Sequence, residues 1–403
     1  MDNKPKHNIL DGYIFSEALR FLFPFIALYA IFAIVIWTLT FTGIVDFNPA
    51  GDIIAWHYYD MLYGFTFAAL LGFILTAAPE WADTAKVSGG ELLLIAVAWL
   101  FCRMSFWFLE YISIYPAFIS HLSLNLWLIW RVYPLLKDTM MKRLIWPIMA
   151  QFLAQIIFFV SYFEWLDISL ISASRLASGI FIIMILQVLK PISMVIMNDS
   201  LERKNIDETF IPRPPRRRFA IFCILLFVGA DFASSNDMLN ISGEMHGLLA
   251  FAAAASLLNI LNDWHIKHAI FSSFTAPLYL IYWFMAVGFT LFGLEKLAIF
   301  DHLSEVNALL HARHFIFMGA ISLAIFMVLL IAGRRHTGRS LDLPLKAKLA
   351  LIFMLMSILS RGLMPLIYPD TVDLAYQLSA TFWVLAFGLY LAEFLPYFIK
   401  NNR

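Results

Sequence analysis

Apolar runs of about twenty residues recur from one end of this chain to the other. Nothing else in the sequence constrains the fold as strongly. A run of that length crosses a bilayer as a helix, because in lipid every backbone N–H and C=O must be satisfied within the segment. The runs are continuous rather than alternating, which fits a closed β-barrel poorly. Composition agrees: 62% of the 403 residues are hydrophobic and 14% are charged, against roughly half and a quarter in soluble domains. No long polar segment marks a soluble domain. The chain reads as a single all-α, polytopic integral membrane domain over residues 1–403.

The periodicity predicts twelve spans, at 17–42, 58–78, 90–109, 112–134, 143–163, 168–197, 218–234, 245–262, 273–294, 306–333, 347–367 and 374–398. Charge alternates between the connections. One set is basic: Lys4 and Lys6; Lys137, Lys142 and Arg143; Arg203, Lys204, Arg213, Arg216, Arg217 and Arg218; Lys267; Arg334, Arg335, Arg339, Lys346 and Lys348; Lys400 and Arg403. The other set holds Asp46, Asp52, Glu110, Glu164, Asp167, Asp237, Asp301, Glu305, Asp370 and Asp373, with Lys296 as its one cation. The positive-inside rule then places both termini in the cytoplasm. The basic, proline-rich segment 198–217 separates a first six-helix half, 17–197, from a second, 218–398. The first run, Leu19 to Thr40, is too long for a cleavable signal and has no small-residue cleavage site after it. Trp37, Trp56, Trp81, Trp107 and Trp165 fall near span ends, as interfacial anchors do.

The polar residues inside this frame are the candidate site. His57 lies at the outer mouth of the second span, and His246 opens the eighth. His311 and His314 sit in the first turns of the tenth, three apart and so on one helical face. His121 is about two turns into the fourth. All five fall in the outer half, whereas His265, His268 and His336 are cytoplasmic, His7 is in the N-terminal tail and His302 in an outer loop. Imidazole is the commonest metal ligand and the usual axial ligand of haem iron. Histidines from several helices at one depth are how bundle-core sites are built. The competing account is a set of helix-end anchors, each with its own hydrogen bond.

Four arginines, Arg103, Arg175, Arg313 and Arg361, also lie within spans in the outer half, against the positive-inside bias. Each costs about 3 kcal/mol or more there unless paired. Asp60, Glu110, Asp231 and Glu244 are partners within reach, and internal salt bridges are one account. The other is an anionic guest, such as haem propionates, held by guanidinium forks. Gly64 and Gly72 on the second span read as close helix packing. Met61, Met104 and Met318 are soft donors suited to Cu(I), but methionine more often fills cores. Cys102 and Cys223 stand singly in apolar runs, and without CxxCH covalent c-type haem is excluded.

The run WHYYDMLYGF…LLGFILTAAPEW resembles the signature of the NnrS family, W-H-x-H-E-M-x-x-G-F followed by A-G-F-L-L-T-A-x-P-N-W. Three further stretches are similar in family order: SEALRFLFPFIALYAIFAIVIW in the first span, AWLFCRMS in the third, and HFIFMGAISLAIFMVLLIAGRRHTGRSL in the tenth. The last keeps the spacing of His314, Gly319 and His336. The resemblance covers the whole chain. It implies a twelve-span protein of the bacterial inner membrane, associated with haem and copper and with the response to nitric oxide and denitrification. It singles out His57, His314, His336 and Arg103 as family residues. This chain departs from the pattern at Tyr59 (a family histidine), Asp60 (a glutamate), Trp283 (near a histidine) and QVLKP, where Pro191 is kept and an arginine is gone.

The expected cofactor is thus a non-covalent b-type haem bound among His57, His121, His246, His311 and His314, with Arg103, Arg175, Arg313 and Arg361 at its propionates. Copper is the second candidate, at His57, His311 and His314. Expected partners are the lipid bilayer and nitric oxide, with no nucleic acid. Consumption, sensing and buffering of nitric oxide all suit this layout, so an enzymatic role stays open. His336 lies a bilayer away from His57, so it is read as a helix stop or a second, cytoplasmic site. Two other functions compete: a secondary transporter of a small anion, though PEWADTAKVSGG lacks the major facilitator loop motif, and a ligand-free assembly factor.

Overall fold

The computed structural model describes residues 12–47, 52–266, 268–299 and 306–400. The expectations on Lys4, Lys6, His7, Lys267, Asp301, His302, Glu305 and Arg403 lie outside the described residues. Among the described residues there are helices and turns and no strand. The long helices are α1 (Ala18–Phe41), α2 (Ile53–Trp81), α3 (Gly90–Trp107), α4 (Tyr115–Leu136), α5 (Ile145–Tyr162), α6 (Leu170–Arg203), α7 (Pro214–Ser235), α8 (Gly243–Leu261), α9 (Thr275–Lys296), α10 (Ala308–His336), α11 (Leu345–Ile367) and α12 (Val372–Ile399). Each coincides with an expected span.

Eleven helices among the described residues are long and apolar enough to cross a membrane. The fourth, α4, falls outside that set, although it runs for 22 residues. The physical reason lies in its polar residues. His121 and Asn125 of α4 are buried at 3% and 0% exposure, turned into protein rather than lipid.

Local chemistry starts and stops these helices. Asp52 caps α2, its carboxylate accepting from the N–H groups of Ile54 at 2.9 Å and Ala55 at 3.2 Å. Ser242 caps α8 by accepting from the N–H of Met245. Pro214 and Pro215 open α7, where a missing N–H costs nothing. Two helices are interrupted by a wide π-turn, Asp60–Thr66 in α2 and Phe317–Ser322 in α10. Such turns insert one residue and re-aim the side chains beside them.

By their contacts the residues form two compact units, discontinuous in sequence: a first of Met1–Ile145, Val328–Ser340 and Phe387–Arg403, and a second of Trp146–Met327 and Leu341–Ala386. Inside the first, α1 lies against the glycine face of α2. A Cβ at Gly72 would stand 3.0 Å from Ile26 and 3.3 Å from Phe23. Inside the second, α8 and α9 approach through Gly247 and Gly293, each within about 3 Å of the other's carbonyl were a Cβ present.

Candidate functional site

The first unit holds a buried polar network centred on Asp60. The π-turn of α2 presents its carboxylate to α1 and α3 at once. Oδ1 accepts from the Tyr29 hydroxyl at 2.6 Å, from the Trp107 indole at 2.8 Å and from Arg103 Nη1 at 3.4 Å. The side chains of Asp60 and Arg103 are each 1% exposed, so this ion pair stands in a dry interior. Its desolvation is offset only because each partner is also hydrogen-bonded elsewhere. The second Nη of Arg103 meets Nε2 of His121. His121 Nδ1 donates to the carbonyl of Ala117 at 2.6 Å, which puts its proton on Nδ1 and turns the Nε2 lone pair to the guanidinium. Tyr59, in place of a histidine, packs on Phe106 at 4.2 Å and lies 5.5 Å from the His121 ring, filling that position with an aromatic wall.

The second unit holds a cluster centred on Asp231 of α7. Arg313 of α10 forks onto it with two nitrogens, at 3.0 and 3.3 Å. Arg175 of α6 reaches the same carboxylate at 3.6 Å, and His246 Nε2 of α8 stands 3.8 Å away. Arg175 also donates to the Ser235 hydroxyl at 2.9 Å. One carboxylate thus draws four helices together, and two guanidiniums against it leave the cluster cationic.

Beside this, His311 is buried and its Nδ1 lies 3.1 Å from both the backbone oxygen and the guanidinium of Arg361. Nδ1 serves one of these at a time, donating to the carbonyl when protonated and accepting from the guanidinium when not. Arg361 itself covers the Tyr376 ring at 3.9 Å. His314, one turn on, donates from Nδ1 to the Leu310 carbonyl at 2.8 Å.

The predicted site residues therefore gather into three sets: Arg103 with His121, Arg175 and Arg313 with His246, and Arg361 with His311. His57 stands apart from these, its ring stacked on Trp37 at 3.9 Å and 16°. Trp283, near which a histidine was expected, is 41% exposed. Among the described residues, no three His, Cys, Asp or Glu side chains gather as a metal ion needs.

His336 is the hub of an ion network at the other end of α10. Its Nδ1 lies 3.6 Å from Glu17 and 3.5 Å from Glu80, and its backbone oxygen accepts from Arg20 at 3.0 Å. Glu17 precedes α1 and is further paired with Arg20 at 2.8 Å and Lys86 at 2.7 Å. Burial pushes its carboxyl up most strongly of any single influence. The hydrogen bonds from His336 and Lys86, with the charges of Lys86 and Arg20, together outweigh that and hold it down at about 2. The network ties the start of α1 to the ends of α2 and α10, which supports the helix-stop reading of His336.

Sequence reasoning missed Tyr29, Trp107, Glu17 and Arg20. One signal was available for Tyr29: a phenol hydroxyl inside an apolar span needs a partner. The model of a family described as NnrS protein matches residues 13–402 of this chain. No curated protein matches it.

Proposed function

The chain belongs to the NnrS family, and from that premise we propose that it binds b-type haem non-covalently and acts in the response to nitric oxide. In this reading it is a twelve-span protein of the bacterial inner membrane with both termini cytoplasmic, and the site lies in the outer half.

His314 carries the proposal. A ligating histidine almost always gives its second ring N–H to a carbonyl or carboxylate, which settles the tautomer and aims the other nitrogen at the metal. His314 has that arrangement: its Nδ1 proton is spent on Leu310, so Nε2 carries the lone pair. His121 shares the Nδ1-to-carbonyl bond but meets Arg103, His246 faces Asp231 and His57 stacks on Trp37. Arg361, beside His311 and over the Tyr376 ring, is the guanidinium proposed to meet a propionate. Arg175 and Arg313 are engaged on Asp231, so a propionate there would compete with an internal carboxylate.

Haem iron, when bound, supplies the centre at which nitric oxide is met, and a small apolar gas reaches it through the bilayer. The chain's own part is to orient the imidazole, neutralise the propionates and keep water out. Phe315 and Phe317, which flank His314 on α10, serve the last of these.

The test is haem reconstitution of the purified full chain. Wild type is expected to show a Soret band that sharpens or shifts on reduction, and His314→Ala to lose most of it while keeping its helical circular dichroism. A wild-type protein with no Soret band after haem supplementation, in both redox states, would sink the reading.

A further inference from the structure

We propose that the first unit binds resident water at two points of the Asp60–Arg103 network. Four polar atoms there are buried and find no hydrogen-bond partner among the described residues: the indole nitrogens of Trp56 and Trp99, Oδ2 of Asp60 and Nε of Arg103. The side chains that carry them are closed off from bulk solvent, Trp99 at 2% exposure and the other three at 1%. Buried polar groups in folded proteins almost always have a partner, and where the protein supplies none an ordered water does.

The four atoms fall into two pairs, one on each of two helices. Trp56 and Asp60 lie one turn apart on α2, where the Asp60 N–H bonds the Trp56 carbonyl. Helical side chains lean toward the N-terminus, so the Asp60 carboxylate leans toward Trp56. Trp107 touches both: its indole donates to Oδ1 of Asp60 at 2.8 Å, and its ring stands 5.2 Å from that of Trp56. This pair offers one donor and one acceptor. Trp99 and Arg103 lie one turn apart on α3, and the guanidinium carbon is 5.9 Å from the Trp99 ring. This pair offers two donors.

Charge and valence point to the ligand class. Asp60 and Arg103 cancel one another, so an ion gains nothing here: the bare Oδ2 repels an anion and the guanidinium repels a cation. The molecule on α2 must accept from the Trp56 N–H and donate to Oδ2. The molecule on α3 must accept from two N–H groups. Water does both, having two protons and two lone pairs. Nitric oxide has no proton to give Oδ2, so the α2 site is not one for the gas.

The experiment uses the full chain in detergent, oxidised by hydroxyl radicals from two sources and read by mass spectrometry. A synchrotron X-ray pulse splits bound and bulk water alike, whereas laser photolysis of peroxide makes radicals in bulk solvent only. X-rays are expected to oxidise Trp56 and Trp99 severalfold faster than Trp383, an indole that is also 1% exposed and whose nitrogen is not orphaned. Peroxide photolysis should leave all three alike. In Trp56→Phe, which removes the N–H and keeps a ring, X-ray oxidation of Trp107 should fall while that of Trp99 stays. Parity of either indole with Trp383 under X-rays overturns the site on its helix. Equal labelling of Trp56 and Trp99 by both radical sources means that bulk solvent reaches them, and overturns the proposal. So does unchanged Trp107 oxidation in a folded Trp56→Phe for the α2 site. If that variant does not fold, the wild-type comparison decides alone.

Discussion

Asp60 and Arg103 show how a charge survives in the interior of this chain. Neither is solvated, and each is held by several neighbours. Removing one partner strands the other. Arg103→Ala is expected to cost about 3–5 kcal/mol, whereas Asp60→Leu combined with Arg103→Met costs far less, because it removes both charges together. Thermal unfolding in detergent checks the order; a double variant as unstable as the single one would count against it. At Glu17 the logic appears as a pH dependence. Its carboxyl is depressed from 4.5 to about 2 in the fold, so the stability it lends is complete above 4.5 and is lost as pH falls through about 2. Unfolding midpoints between those values should fall with acid in the wild type and flatten in Glu17→Gln. An unchanged acid limb in the variant would place that stability elsewhere.

The helices of the first unit are fitted to one another by what their sequences leave out. Gly64, one turn beyond Asp60, has no side chain where Tyr29 lies; a Cβ there would stand 2.7 Å from the Tyr29 hydroxyl. The bare Cα and the π-turn together let the phenol reach Asp60. Gly64→Val must therefore displace Tyr29 and break its 2.6 Å bond, at an expected cost of about 1–3 kcal/mol for overpacking. Tyr29→Phe keeps the packing and loses only the bond, with a smaller expected loss of about 1 kcal/mol. Comparing the two midpoints separates crowding from hydrogen bonding, and equal losses would contradict the steric account. The same rule explains α4. It falls outside the helices apolar enough to cross a membrane, and His121 and Asn125 are tolerable in it because both are buried in protein.

For the whole molecule, the proposed twelve spans and cytoplasmic termini make a prediction that needs no ligand. Single-cysteine labelling from outside intact cells should reach positions 165 and 238 and miss positions 138 and 340. Labelling of position 340 from outside would invert the scheme.

Much of this architecture was legible in the sequence. Helix positions could be read, because burying a backbone in lipid demands about twenty apolar residues whatever they pack against. The need for partners could be read too: arginines within spans required anions, and Asp60 and Asp231 were two of the four within reach. Which arginine takes which carboxylate could not. Arg175 and Arg313 are far apart in the chain, yet both meet Asp231. Nor could a sequence show that His314 would bond Leu310 one turn back in its own helix while His311 turned to Arg361. Apolar periodicity is a local property that each segment carries alone. Hydrogen bonds and ion pairs act over about 3 Å and depend on how helices rotate against one another. Hence the sequence determined that this chain is a helical membrane protein with buried charges to satisfy. Only the tertiary structure decided which side chains satisfy them.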